Sequence, residues 1–310
     1  MLVSILIDNY NYEKYLGEAI ASALDCRDCD IDCNIDYDIE VIVVDDGSTD
    51  GSRQEIERFG DRITAVFQAN GGQAAAINTG IAAAKGELVC LLDADDYFYP
   101  EKVARVVEQF EADRELGWVF HELNEVDRHG QGFERPHRGA IERRTQLDLR
   151  RSLRNGDPVT QWLPATTGLC FRRELLAEIG EIPEAFRVSA DSFLRLAALF
   201  LAPGLLLPDR LAAHRSHGEN LYEFRSDINV ARMTLGMQTA YYVRERFPAL
   251  QAFARKKFTF CLGRAIQYAG FRAAMNVPEM KCYLQRDRSL RFRLRALAYA
   301  AKGLLMRLRS

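Results

Sequence analysis

Asp93, Asp95 and Asp96 stand within four residues of one another at the end of the apolar run in GELVCLLDADDYFYP, residues 86–100. Carboxylates this close repel one another, and holding them together is costly unless a cation neutralises them. Hard oxygen ligands, few in number, suit Mg²⁺ or Mn²⁺ shared with substrate phosphates rather than a closed protein cage. A solvated acidic turn before a helix that starts at Pro100 accounts for the same letters, because Pro is at home in a first helical turn and Asp at a cap. A second segment repeats the pattern: EVIVV, residues 40–44, runs into Asp45 and Asp46 and then GSTDGS. Two apolar runs therefore aim carboxylates at one edge.

The elements that position these acids follow from composition. Residues 87–92 and 40–44 have the Val, Ile and Leu content of strands buried on both faces, as in parallel sheets. A third strand, residues 3–7, precedes DNYNYEKYLGEAIASAL, in which Tyr12, Tyr15, Leu16, Ala19, Ile20 and Ala23 share one helical face. Gly47 and Gly51 permit tight turns, and Ser48, Thr49 and Asp50 can cap a helix beginning near Ser52. A strand at 63–67, the loop ANGGQ and an Ala-rich helix over 74–84 continue the alternation. Strand and helix in turn predict an α/β fold, a mostly parallel sheet with helices on both faces, which binds ligands at the carboxyl ends of its strands.

The chain resembles the family 2 glycosyltransferases, which have the GT-A fold, a Rossmann-like sheet that binds a nucleotide-sugar donor. The likeness runs through SILIDNYNYEKYLGEAIASAL, EVIVVDDGSTDGS, NGGQAAAINTGIAAAKGE, LLDADDYFYP, TGLCFRRELLAEIG and ADSFLRL, over residues 2–220. Six segments in the family's order are more specific than any lone motif. The resemblance implies transfer of a sugar from an activated donor to an acceptor hydroxyl, with inversion at the anomeric carbon. It makes Asp45 or Asp46 a nucleotide contact, Asp45 toward the base, and sets Asn9 and Tyr10 against base and ribose. It also implies that Asn70, Gly72 and Asn78 line the nucleotide pocket, that Asp93 meets the ribose, and that Asp95 holds the Mg²⁺ or Mn²⁺. Asp96 either joins them or caps the helix that follows.

An inverting displacement needs a general base near the acceptor hydroxyl. The family supplies it from a Glu-Asp pair at the start of a helix. The matching SADSFLRLAALF makes Asp191 the base, with Ala190 in place of the Glu and Phe193, Leu196, Ala197 and Phe200 as the buried stripe. An Asp in a first turn also simply complements the helix dipole. Thr166, Thr167 and Gly168 are expected to face the cleft, with Arg172 and Arg173 opening a helix. In AHRSHGEN, expected to be a loop over the diphosphate, Arg215 can pair with phosphate and His217 can add a metal ligand. Two other classes fit part of the pattern. A sugar nucleotidyltransferase shares the metal and the sheet, although DNYNYEKYL is not a Gly-rich phosphate loop. A non-catalytic nucleotide-sugar-binding protein is compatible with Ala190.

Of the 7 Cys, Cys90 and Cys170 fall in apolar strands and read as small core residues. Cys26, Cys29 and Cys33 cluster in CRDCDIDC, which reads as an exposed loop because three thiols make no standard zinc site. Cys261 and Cys282 fall in helical segments, no disulfide framework emerges, and a reducing cytosol fits. With 310 residues and 48% hydrophobic content the chain can bury a substantial core. A catalytic domain over 1–222 and a helical extension over 223–310 are expected. Net charge is −3, yet residues 281–310 hold nine Lys and Arg against one Asp. LRFRLRALAYAAKGLLMRLRS is also amphipathic, so it reads as a helix on an anionic membrane or an acidic partner, or as a solvated helix packed on its own domain. Nucleic acid is not expected, since no binding module accompanies the basic segment. No run reaches ~18 apolar residues, so no membrane span is expected, and MLVSILI serves better as a strand than as a signal peptide. The expected partners are a nucleotide-sugar donor and a carbohydrate or lipid-linked acceptor. The expected location is the cytoplasm, at the inner face of a membrane if the basic segment docks there.

Overall fold

Val3, Ile5, Leu6 and Ile7 are fully buried in the computed structural model of the chain, as an apolar run covered on both faces requires. The structure describes residues 1–27, 36–134, 139–218 and 227–309. From β1 (Leu2–Asn9) the chain alternates through α1 (Glu13–Asp25), β2 (Asp38–Asp45), α2 (Ser52–Glu57), β3 (Thr64–Phe67), α3 (Gln73–Ala83) and β4 (Leu88–Asp93). Next come β5 (Tyr97–Phe98), α4 (Lys102–Ala112), β6 (Trp118–Asp127), β7 (Thr145–Leu147), α5 (Arg150–Asn155), β8 (Leu169–Arg172), α6 (Arg173–Ile179), α7 (Asp191–Leu201) and β9 (Gly204–Ser216). The remaining elements are helical: α8 (Ile228–Arg246), α9 (Gln251–Ala269), α10 (Phe271–Met275), α11 (Pro278–Arg286) and α12 (Leu290–Arg309).

Among the described residues the strands form one sheet in the order β3-β2-β1-β4-β8-β6-β9-β5, with β7 paired to β9. The first four strands are parallel, as their apolar composition predicts. Beyond β4 the sheet is mixed. β8 runs antiparallel to β4 and β6, β9 is parallel to β6, and β5 and β7 are antiparallel to β9. The parallel register aligns the carboxyl ends of β1, β2 and β4, setting Asp8 opposite Asp93 and Asn9 opposite Asp45. α1 buries Leu16, Ala19, Ile20 and Ala23 on the sheet, the stripe read from the sequence. Leu16 and Ile20 each contribute about 1.5–3 kcal/mol on full burial. α3 lies close on β1, where a Cβ at Gly80 would stand 2.3 Å from Leu6 Cδ1.

The chain divides into two compact units, Met1–Asp148 with Gln161–Gly218, and Leu149–Thr160 with Glu219–Ser310. The boundary read from sequence, after residue 222, kept residues 149–160 in the first unit; the structure groups them with the second. The reason is packing that local pattern does not carry: Gly156, which ends α5 at φ +80°, lies against Ala252 and Lys256 of α9. The core of the second unit stacks Phe258 on Tyr283 at 4.0 Å, with Phe292 5.2 Å from Tyr283. No helix among the described residues is long and apolar enough to cross a membrane.

Cys90 and Cys170 face each other on β4 and β8 and are buried, as read. Cys26 corrects the sequence reading: it is fully buried at the end of α1, its Sγ 3.4 Å from the Ser22 carbonyl, so it is a core thiol and not part of an exposed loop. Cys29 and Cys33 lie outside the described residues.

Candidate active site

The loops after β1 and β2 are stitched together by small polar side chains. Asn9 Nδ2 donates to Asp45 Oδ1 at 2.8 Å, and the Ser48 hydroxyl donates to the same oxygen at 2.5 Å. Asn11, at φ +61°, accepts the Thr49 N–H through its side-chain oxygen, an Asn doing what its tolerance of left-handed backbone permits. Tyr10 follows Asn9 with its ring partly exposed at the strand end. Asp46 turns the other way. It accepts the backbone N–H groups of Gly71 and Gly72 at 2.8 and 2.7 Å and the Gln68 amide at 2.7 Å. Gly72 has φ +89°, which a side chain rarely adopts, and a Cβ there would meet Arg187 Cα at 2.7 Å. Asp46 therefore shapes the turn that starts α3, and Asn70 on that turn is bonded to the Arg187 guanidinium. Both polar ends of the Asn78 amide are taken by the Ile182 backbone, at 2.9 Å each.

The acids after β4 divide their work. A tight turn, Asp96 N–H to the Asp93 carbonyl at 3.0 Å, carries all three. Asp95 Oδ2 lies 3.0 Å from His217 Nε2, and the imidazole sits among Tyr12 and Tyr15. Asp96 accepts the Thr167 hydroxyl at 2.5 Å and the Arg215 backbone N–H at 2.7 Å. It neither caps α4, which begins at Lys102, nor faces outward: it ties β9 to the turn. Burial pushes its carboxyl up to about 6, against the pull of His214. Thr167 is itself held by Lys102, a fully buried lysine whose Nζ donates to the Thr167 carbonyl at 2.8 Å. Gly168 and Thr166 sit beside it in the same buried turn. Arg172 and Arg173 bond the backbone carbonyls of Leu116, Phe110 and Gly86, which anchors the start of α6.

His214 and Arg215 belong to β9 rather than to a loop, and His217 directly follows the strand. The polar letters HRSH concealed a strand paired with β5 and β6, whose polar side chains are satisfied inside the fold. His214 lies 3.2 Å from the Glu125 carboxylate. Arg215 is buried, its guanidinium bonded to Glu18 at 2.5 Å and to the Asp95 carbonyl at 2.9 Å.

Asp8 and Gln73 were not singled out from the sequence. Asp8, next to last in β1, stands opposite Asp93, and burial, then the charges of Asp95 and Asp46, raise its carboxyl to about 7 despite a bond from Gln73. Asp93 is pushed well up, first by burial and then by Asp8, Asp96, Asp95 and Asp191. The signal for Asp8 was present: it lies at the carboxyl end of a buried strand, one residue short of the end that Asp45 and Asp93 occupy in theirs. Gln73 links two parts of the site, its amide donating to Asp93 Oδ1 at 3.1 Å and its carbonyl accepting the Ala190 N–H at 3.0 Å. Ala190 precedes Asp191, the first residue of α7, and the turn before it strains Ser189 to φ +58°. Asp191 is 7% exposed and pairs with Arg195 at 3.0 Å, while Arg195 also donates to the Pro164 carbonyl at 2.6 Å.

The residues fit a divalent cation shared with a ligand. Among the described residues no three His, Cys, Asp or Glu side chains converge as a closed cage. Mg²⁺ and Mn²⁺ sites on diphosphate substrates need only one or two protein ligands, a number that Asp95 and His217 could supply. Asp8 Oδ1 and Asn9 Oδ1 are buried without a hydrogen-bond partner among the described residues, beside carboxylates that raise one another's proton affinity. Such a cluster is relieved by a cation.

The family described as Glycosyl transferase family 2 matches residues 4–179, more than half of the chain. The chain belongs to glycosyltransferase family 2. This family 2 protein is 38% identical over 226 residues to an uncharacterized glycosyltransferase of Nostoc sp., a match covering 71% of this chain and 66% of that one. It is 30% identical over 244 residues to the uncharacterized glycosyltransferase EpsJ of Bacillus subtilis, covering 74% and 62%. The matches thus span just under two thirds of these relatives' length. Its fold is similar to that of S. aureus TarS 1-349 in complex with UDP-GlcNAc, with a TM-score of 0.61 at 20% identity, covering 99% of this chain and 89% of that one. It is also similar to the mannosyltransferase PcManGT from Pyrobaculum calidifontis in complex with GDP-Man and Mn²⁺, TM-score 0.54 at 19% identity, covering 99% and 86%. The GT-A architecture expected of a family 2 glycosyltransferase is the one observed.

Proposed function

We propose that the protein transfers a sugar from a nucleoside-diphosphate donor to an acceptor hydroxyl of a carbohydrate or lipid-linked carbohydrate, with inversion at the anomeric carbon. The observation that carries this reading is the convergence of Asp8, Asp45, Asp93 and Asp95 at the ends of three parallel strands, with Asp191 tied beside Asp93 through Gln73. The Staphylococcus and Pyrobaculum structures, one with UDP-GlcNAc and the other with GDP-Man and Mn²⁺, support a nucleotide-sugar as the ligand class.

In this reading Asn9, Tyr10 and Asp45 meet the base and ribose, with the exposed Tyr10 ring available for stacking. Asp93 accepts from the ribose hydroxyls. Asp46 and Gly72 shape the pocket wall, with Asn70 and Asn78 holding its flanks, and Arg215 braces the Asp95 turn from behind. Mg²⁺ or Mn²⁺, held by Asp95 and His217, would neutralise the charge that develops on the departing diphosphate. Asp191 takes the acceptor proton as the acceptor oxygen bonds to the anomeric carbon and the bond to the diphosphate oxygen breaks on the opposite face. Arg195 keeps the Asp191 carboxylate oriented. A role in surface polysaccharide or glycolipid assembly follows from that acceptor class.

Thermal unfolding with UDP, GDP, dTDP and CDP, each with and without Mn²⁺, tests the donor site. A ligand present at ~100 times its Kd stabilises by about 2.7 kcal/mol, which moves the melting temperature by several degrees. The expected result is metal-dependent stabilisation by one nucleotide, lost in Asp95→Asn. A flat response to all four would contradict the reading.

A further inference from the structure

Helix α12 is apolar on two opposite faces, and only one of them is used inside the fold. Phe292, Ala296, Ala300 and Gly303 are buried on one face. Contact with α9 there is close: a Cβ at Gly303 would overlap the Gly263 carbonyl oxygen, and a Cβ at Gly263 would stand 2.8 Å from the Tyr299 carbonyl oxygen. That face is therefore filled, and α12 cannot rotate its other side inward without opening a tight helix crossing.

The other face carries Leu290, Leu294, Leu297, Leu304, Leu305 and Leu308, which are 40% to 83% exposed. At 3.6 residues per turn these six and Ala301 fall within an arc of about 100°, a continuous stripe ~27 Å long. Isolated exposed leucines are ordinary, but an unbroken row of six marks a contact surface. Cations border the row on both sides. Arg291, Arg295 and Lys302 lie on one flank and Arg293 on the other, all exposed, while Arg307 turns toward α9 and bonds the Gln267 and Tyr268 carbonyls; the helix contains no acidic residue.

The charge pattern selects the occupant. Two copies joined through the leucines would set like-charged flanks against each other, the reverse of the alternating charges that pair helices. A bilayer surface offers an apolar layer for the row and, level with the flanks, headgroup phosphates for the arginines. α12 is not apolar enough to span. We propose that α12 lies along an anionic lipid surface, its six leucines in the acyl boundary and its arginine and lysine flanks on headgroup phosphates.

The test is cosedimentation of the full chain with vesicles of phosphatidylcholine alone and of phosphatidylcholine mixed with phosphatidylglycerol, alongside its mass in solution by light scattering. The expected result is pelleting with the anionic vesicles and not with the neutral ones, weakened by salt. Replacing Leu297, Leu304 and Leu305 by Ser should weaken binding about tenfold or more, because apolar burial anchors such helices. Arg291→Glu with Arg295→Glu should weaken it as well. These side chains are exposed, so circular dichroism and melting temperature should be unchanged, and that confirms that a loss belongs to the surface. Equal binding to both vesicle types, or binding untouched by the leucine replacements, would overturn the proposal. So would a dimer that the leucine replacements dissociate and that binds no vesicle, which would make the row an interface between copies.

Discussion

Gln73→Ala removes the side chain that joins the end of β4 to the start of α7. Two links between these elements are lost. The amide no longer donates to the Asp93 carboxyl, a hydrogen bond worth about 0.5–1.5 kcal/mol. The N–H of the fully buried Ala190 also loses its acceptor, and an orphaned buried donor costs about 1–3 kcal/mol. Some relaxation around the smaller residue is expected, so a destabilisation of about 3 kcal/mol follows, or roughly 6–12 °C in melting temperature for a unit of this size. The functional effect is separable. With the tie gone, Asp191 is free to shift relative to Asp93, and a displacement of ~1 Å at a reacting group can lower turnover by about a hundredfold. The donor contacts proposed for Asn9, Tyr10 and Asp45 are untouched, so the KM for donor should move much less than kcat. The assay is a melt of each protein followed by transfer or donor hydrolysis well below both midpoints. A variant that melts within ~2 °C of the parent with unchanged kcat would show that Gln73 does not couple the two elements; equal falls in kcat and donor affinity would point to general disorder of the site instead.

Three other outcomes follow from the same contacts. Asp46→Ala strips the Gly71 and Gly72 N–H groups and the Gln68 amide of one shared acceptor, and a urea midpoint reduced by the equivalent of about 3 kcal/mol is expected; a loss under ~1 kcal/mol would mean that the turn is held from elsewhere. In the helical unit, burial works against the charge of Asp287. The bonds from Arg255 and Ser289 and the charges of Arg255 and Arg244 outweigh it and hold the carboxyl below its ordinary value. A lowered carboxyl stabilises the folded state above its unfolded value, near 4, and the contribution disappears as pH falls through the folded value. Asp287→Asn should therefore cost about 3 kcal/mol at neutral pH, since it leaves two arginines without their buried partner, and the gap to the parent should close in urea melts at low pH. Asp95→Asn should melt near the parent temperature without ligand and lose the Mn²⁺-dependent gain with nucleotide, which the paired thermal scans read directly.

Local pattern carried much of this molecule. The runs LVSILI, EVIVV and ELVCLL announced buried parallel strands, and the stripe Leu16, Ala19, Ile20 and Ala23 announced the helix that covers them. α8 and α9 lie in the stretch 223–310, where a helical extension is expected from the sequence. What local pattern lacked was pairing. Asp8 matters because the register sets it opposite Asp93, a relation between residues 85 positions apart. β6 begins as Trp118-Val119-Phe120 and then turns polar at His121 and Glu122, where its register with β9 shifts, so no single period identifies it. β9 ends in letters that look like a loop because its polar side chains find partners, Glu125 for His214 and Glu18 for Arg215, on distant elements. The short α5 joined the helical unit for the same reason, through its contact with α9.

The proposed transfer depends on Asp191 removing the acceptor proton. Once the nucleotide is identified, turnover of the parent and of Asp191→Asn should be compared under saturating donor and acceptor, with nucleotide-dependent stabilisation measured on the same preparations. Asn preserves an acceptor for Arg195, whose hold on the Pro164 carbonyl is also retained, so the fold and the donor site should survive. Loss of a general base lowers rates by about a hundred- to ten-thousandfold. A fall in kcat of that size with nucleotide stabilisation intact is expected; near-parental turnover in Asp191→Asn would show that Asp191 is not the base.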